Sequence, residues 1–193
     1  MPIAINGSGT ITGVSVGGLP DGIVDTDMLA AGAVTAAKRG AGAILQVVQT
    51  EKSDSFSISP SSTPEFGTIC SATITPSSSS NKILVVYSTN ARSAGVNQGH
   101  GTRVLRGSTA IGIGDANGSR TRAGMGSFFN SASYRNRCIS QVILDSPSTT
   151  SATTYNLQIG GETGGTYYVN SGEGNSAAYN QACTHLTLLE VAG

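Results

Sequence analysis

The chain has 193 residues, only 11% of them charged, and its formal net charge is +0. That balance excludes a strongly electrostatic partner, and duplex nucleic acid in particular, which requires a basic face. Its 26 glycines and abundant Ser and Thr, set against recurrent blocks of Ile, Val and Leu, exclude a disordered chain and indicate β-structure with many tight turns.

Residues 1–42 are unlike the rest. Nearly every apolar side chain there is small and glycine recurs throughout, so the segment buries too little surface to offset the entropy of ordering it. Order is expected only through identical copies or a partner. Asn6-Gly7 and Asp21-Gly22 are turn dipeptides, and Thr10–Val16 alternates weakly enough for one short strand. Asp25-Thr26-Asp27 is a helix N-cap that predicts one short helix over Met28–Lys38, stopped at Gly40. The candidate contacts of this arm, with other copies of the chain or within a trimer, are Met28, Leu29, Ala33, Val34 and Ala37. No basic n-region precedes an apolar run, so a signal peptide is not expected, and the Ala/Gly-rich stretch near Met28–Val48 is no membrane span. Synthesis in a reducing cytoplasm follows as the expectation, and the sequons at Asn6 and Asn117 then read as turns.

From residue 43 to 193 the composition becomes β-branched. Strands are predicted at Ile44–Thr50, Ser55–Ser59, Thr68–Thr75, Lys82–Thr89, Thr102–Arg106, Ala110–Ile113, Arg135–Leu144, Thr153–Ile159, Thr166–Val169 and Thr184–Val191, separated by Pro-, Ser- and Gly-rich turns. Tyr155, Leu157 and Ile159 alternate with Thr154, Asn156 and Gln158, which gives one buried and one wet face. Many short strands without a long helix predict an all-β sandwich, most simply a jelly roll. Two long Gly-rich polar segments, Ser93–Gly101 and Asp115–Asn130, are where functional contacts are expected to concentrate.

Catalytic patterns are missing. His100 and His185 fit no HxxxH or HExxH spacing, Gly112-Ile-Gly114 breaks the dinucleotide fingerprint, Gly7-Ser-Gly9 lacks the P-loop lysine, and nothing selects a glycosidase pair such as Glu162 with Glu173. Three cysteines, Cys70, Cys138 and Cys183, form no disulfide framework and are expected as buried free thiols. No catalytic, cofactor-binding or metal-ligating residue is assigned, no cofactor is expected, and the chain is read as a non-enzyme.

Gly7–Lys38 resembles the N-terminal part of fibre-like structural proteins of tailed bacteriophages, especially phages of marine cyanobacteria. Ile44–Thr50, Ile74–Val85, Leu144–Tyr155 and Leu186–Val191 are similar to the globular part of the same proteins. The resemblance implies a homotrimeric virion protein, assembled in the host cytoplasm, with a tumour-necrosis-factor-like jelly-roll head. Its arm, residues 1–42, would dock on other virion proteins. The single unit Ala33-Val-Thr-Ala-Ala-Lys38, where the family often has several, implies a short fibre. Copies wrapped around an axis would also give the thin arm its missing core.

The expected partners are therefore further copies of the chain, neighbouring virion proteins, and a host-surface glycan or protein, with no nucleic acid and no membrane insertion. Candidate host contacts are Asn97, Gln98, His100, Arg120, Arg122, Tyr167 and Tyr168, loop-borne and suited to polar or sugar ligands. The alternatives are a decoration or head-fibre protein on the capsid, where the arm carries the function, and a polysaccharide-degrading enzyme at a fibre tip.

Overall fold

The computed structural model describes residues 4–5, 11–12, 29, 31, 33–34, 38–62, 65–94, 99–127, 136–161, 165–171 and 181–193. The chain divides into two compact units, Met1–Gly40 and Ala41–Gly193. In the first, β1 (Ala4–Ile5) pairs antiparallel with β2 (Ile11–Thr12), inside the segment predicted as a strand. Most of the helix predicted over Met28–Lys38 lies outside the described residues. Those described within it, Leu29, Ala31, Ala33, Val34 and Lys38, are not α-helical. Leu29 and Val34 are about half exposed, at 46% and 50%. Met28 and Ala37 lie outside the described residues.

The second unit holds β3 (Ile44–Lys52), β4 (Phe56–Ile58), β5 (Glu65–Ile74), β6 (Lys82–Ser93), β7 (His100–Arg106), β8 (Thr109–Ile111), β9 (Met125–Ser127), β10 (Arg137–Asp145), β11 (Thr153–Gly161), β12 (Tyr167–Val169) and β13 (Thr184–Val191). All pairings are antiparallel. One sheet runs β3-β13-β6, with β10 on the other side of β6, while β12 and β4 continue the lines of β13 and β3 along the far end of β6. The second sheet runs β5-β11-β7, with β8 and β9 both on the outer edge of β7 as two halves of one interrupted strand. Counting β3 with β4, β8 with β9 and β12 with β13 each as one strand, the sheets order first-eighth-third-sixth and second-seventh-fourth-fifth, which is the jelly roll. The chain is thus an all-β jelly-roll sandwich.

Strand alternation builds the core. Ile83, Val85 and Tyr87 of β6, Leu186 and Leu188 of β13, and Tyr155, Leu157 and Ile159 of β11 are at most 1% exposed. Each such side chain contributes roughly 1.5–3 kcal/mol by leaving water. Two polar clamps cross between the sheets. Tyr87 and Thr102 share a hydroxyl hydrogen bond of 2.8 Å. Asp145 of β10 accepts from the Tyr155 hydroxyl at 2.7 Å and from Arg106 Nη1 at 2.9 Å.

Register also gives the sandwich two distinct ends. At one lie the start of β3, the C-terminus and the β5–β6 and β10–β11 turns, so the chain enters here. At the opposite end the chain leaves and re-enters the sheets between β6 and β7, β9 and β10, β11 and β12, and β12 and β13. The Gly112–Gly124 excursion starts and finishes midway along β7, on the flank of the sandwich.

Candidate functional site: the loop end of the sandwich

Among the described residues the candidate host contacts do not form one site. Asn97 and Gln98 lie outside the described residues. His100 and Tyr167 are corrected by their burial, at 3% and 0% exposure: both point inward, with ring centroids 5.9 Å apart. The reason is register. His100 opens β7 opposite Gly161 and Tyr167 opens β12 opposite Ser93, so alternation turns both into the core. Tyr168 faces the other way, half-buried under the Arg92 guanidinium, which stacks 4.1 Å above its ring. Arg120 and Arg122 are exposed, but they belong to the flank excursion, where Arg122 Nε donates to the Gly114 carbonyl at 2.7 Å.

Arg106 is paired with Asp145, and Arg103 stacks 3.9 Å over Phe66 while donating to Gln158 Oε1 at 2.9 Å. Neither Glu162 nor Glu173 falls among the described residues.

Burial, with Arg137 nearby, pushes His100 down to about 4. A histidine whose folded value is depressed gives stability that is complete above the unfolded value, near 6.5, and lost as pH falls toward 4. Between pH 6.5 and 4 the wild type is therefore expected to lose on the order of 2 kcal/mol that a His100→Gln variant does not lose. Chemical denaturation across that range checks this, and parallel pH profiles for both proteins would contradict it.

Asn170 shapes the same end. It adopts a left-handed backbone, φ 61°, and is fully buried. Its amide donates to the carbonyls of Lys52 and Asp54 at 2.7 and 3.2 Å, and its Oδ1 accepts from Thr184 Oγ1 at 2.8 Å. The β3–β4 corner is thereby tied to the start of β13.

That tie sets a group the sequence did not reveal. Glu51 near the end of β3 stands in register with His185 of β13, and Cys183, two residues before His185, shares its side of the strand. Ligand atoms of Glu51, Cys183 and His185 all lie within 4.8 Å of one another. Glu51 is exposed and the other two are half-buried. Burial and the Glu51 carboxylate raise the Cys183 thiol above its ordinary value. His185 Nδ1 is shielded from solvent with no hydrogen-bond partner. Sequence reasoning missed this group because no short motif links residues 51, 183 and 185; only the β3–β13 pairing joins them. The three cysteines are free, as expected, but none is fully buried: Cys70 and Cys183 are half-buried, and Cys138 is exposed because it sits on the outward face of β10.

That outward face is unusual. Across the four strands, Val47, Leu189, Leu84 and Leu144 form one row, and Gln49, Thr187, Val86 and Val142 the next. Val47, Val142 and Leu144 are 57%, 66% and 56% exposed, and neither row contains a charge.

No protein-family model matches the chain, and no curated protein matches it. Among solved structures, it is similar to "infectious bursal disease virus Gx strain" at TM-score 0.42 and 13% identity, over 75% of this chain and 37% of that one. The "infectious bursal disease virus VP2 subviral particle" gives TM-score 0.41 and 13% identity over 77% and 37%. The Gt strain of the same virus gives 0.39 and 13% over 76% and 40%. The chain thus spans two fifths or less of each of those chains.

Proposed function

We propose that the protein is a non-enzymatic structural protein of a phage virion: a short trimeric fibre whose arm, residues 1–42, docks on the particle and whose jelly-roll heads bind the host surface. The observation that carries this reading is the pair of uncharged rows on the outward face of β3, β13, β6 and β10, which lie between Lys82 toward one end of that face and Glu51 toward the other. Soluble monomers rarely leave so continuous an apolar surface uncovered. Its occupants are two further copies of the chain, because a sheet face packing against a neighbour's edge closes on itself under cyclic symmetry without open-ended growth. Near-zero net charge removes the repulsion that would oppose that packing. The resemblance of Gly7–Lys38 to phage fibre arms supports the virion placement.

The two ends of the sandwich favour a projecting head over a flat decoration of the shell. The chain enters at one end, and the strand ends that border the β6–β7, β9–β10, β11–β12 and β12–β13 connections lie at the other. Contact with a glycan or protein receptor then falls to that end, with Tyr168 at its rim and Arg120 and Arg122 on the flank. Among the described residues no helix is long and apolar enough to cross a membrane.

Light scattering on the full chain is expected to give three times its 19.4 kDa mass. A Val142→Asp, Leu144→Asp variant, altered only on the outward face, is expected to be folded and monomeric. A monomeric wild type at micromolar concentration would remove the central support. Particles carrying a protein deleted for residues 1–40 are expected to lose density at the tail; loss over the shell instead would establish the decoration role.

A further inference from the structure

We propose that Glu51, Cys183 and His185 bind a divalent transition-metal ion of the zinc type at the loop end of the sandwich. All three residue types are zinc ligands, and the combination of thiolate and imidazole with a single carboxylate disfavours the hard cations magnesium and calcium, which take oxygen shells. The spacing suits an ion. With ligand atoms no more than 4.8 Å apart, an ion at their centre is within about 2.8 Å of each. Coordination distances of roughly 2.0–2.3 Å then need only small side-chain rotations.

Rigid backbone holds the group. Glu51 and His185 are cross-strand neighbours in a continuous ladder, and the Asn170 bonds fix the segment that carries Cys183 and Thr184. The solvent-shielded His185 Nδ1 has no hydrogen-bond partner, and a polar atom left in that state is what a bound ion or its ligand shell satisfies. Lys52, next along β3, points to the other face and pairs with Asp54 at 2.9 Å, so it neither neutralises Glu51 nor repels a cation. On binding, the Cys183 thiol releases its proton to solvent as the metal–sulfur bond forms. Three protein ligands leave a fourth tetrahedral position for water or for a donor atom of a docked ligand. The proposal stands on geometry within one chain and holds whether or not the chain is a trimer.

The test uses the full chain without a histidine tag, reduced and stripped of metal, titrated with Co²⁺ and then Zn²⁺. One Co²⁺ per chain is expected, with the thiolate-to-cobalt charge-transfer band and the intense visible bands of tetrahedral cobalt, both removed by Zn²⁺. Cys183→Ser and His185→Gln are each expected to weaken Co²⁺ binding by more than about 100-fold, beyond the 10–100-fold that loss of an outer hydrogen-bond partner costs. Cys183→Ser abolishes the charge-transfer band, whereas Cys70→Ser and Cys138→Ser leave it intact. Zn²⁺ should raise the melting temperature of the wild type and not of the first two variants, whose circular dichroism reports that they remain folded. Absence of stoichiometric binding, or binding unchanged in Cys183→Ser and His185→Gln, would overturn the proposal.

Discussion

Replacing Asp145 with alanine is expected to lower the unfolding free energy by about 4 kcal/mol, a fall of about 10 °C in melting temperature for a domain of this size. Asp145 is 8% exposed and sits on β10 of one sheet, while both its partners, Arg106 of β7 and Tyr155 of β11, belong to the other. Arg106 Nη1 donates to both carboxylate oxygens, at 2.9 and 3.0 Å, and also to the Ser146 carbonyl at 3.0 Å. Burial and the adjacent carboxylate raise the Tyr155 phenol far above its usual value, so it stays a donor at every pH where the protein folds. Alanine would strand a fully buried hydroxyl and a half-buried guanidinium together. Tyr155→Phe removes one hydrogen bond but leaves the carboxylate paired, and is expected to cost only about 1 kcal/mol. Thermal melts of the two variants give the comparison. Equal losses would mean that the aspartate acts only through the tyrosine, and that the ion pair between the sheets contributes nothing.

Glu190 is expected to matter as much, and to link stability to acid. It points inward from β13 at 1% exposure. Its carboxylate accepts from the Ser77 N–H at 2.6 Å, the Ser77 hydroxyl at 2.8 Å, Asn81 Nδ2 at 2.6 Å and Gln46 Nε2 at 2.6 Å. Asn81 in turn accepts from the Gly193 N–H at 3.1 Å. One carboxylate therefore closes the entry end of the sandwich, gathering the β5–β6 turn, β3 and the C-terminus. Glu190→Ala leaves four donors unanswered and is expected to cost about 4 kcal/mol. Burial pushes the carboxyl up, but the donors from Asn81, Gln46 and Ser77 outweigh it and hold the group below its ordinary 4.5. A depressed acid contributes stability that is complete above the unfolded value and lost as pH falls through the folded one. Wild type is thus expected to weaken below pH 4.5 by an increment missing from Glu190→Gln, which starts less stable because an amide N–H₂ meets the donors. Denaturant midpoints from pH 7 to pH 3 measure this; parallel curves would show that the carboxylate does not titrate with unfolding.

Much of the fold was legible because strand signals are local. Each of the ten predicted strands in residues 43–193 is present within a few residues of its expected bounds, and Thr184–Val191 matches at both ends. The departures have physical causes. β6 continues to Ser93, beyond the expected Thr89, because its last residues pair with β12 as well as β10. β9 went unseen inside a Gly-rich segment, since Met125-Gly-Ser127 has no strand pattern and is held only by the edge of β7. His100 looked like a loop residue for the same reason: its neighbours Gly99 and Gly101 signal a turn, yet its ring fills a core position beside Tyr167.

The candidate site was far less legible. Polarity and position in a Gly-rich stretch pick out residues that are able to meet a ligand, but the face a side chain takes depends on its register, and register is set between strands distant in the chain. Tyr167 and Tyr168 are adjacent and chemically alike; one is fully buried and the other lies at the rim.

What the sequence by itself determined is the all-β class and the positions of its strands. These follow from composition and from a two-residue period, both properties of neighbouring residues. Only the tertiary structure decided that Val47, Leu84, Val86, Val142, Leu144 and Leu189 share one outward face, that Asp145 and Glu190 act as buried clamps, and that Glu51 meets Cys183 and His185. Each of those depends on pairing between segments tens of residues or more apart, which no local pattern encodes.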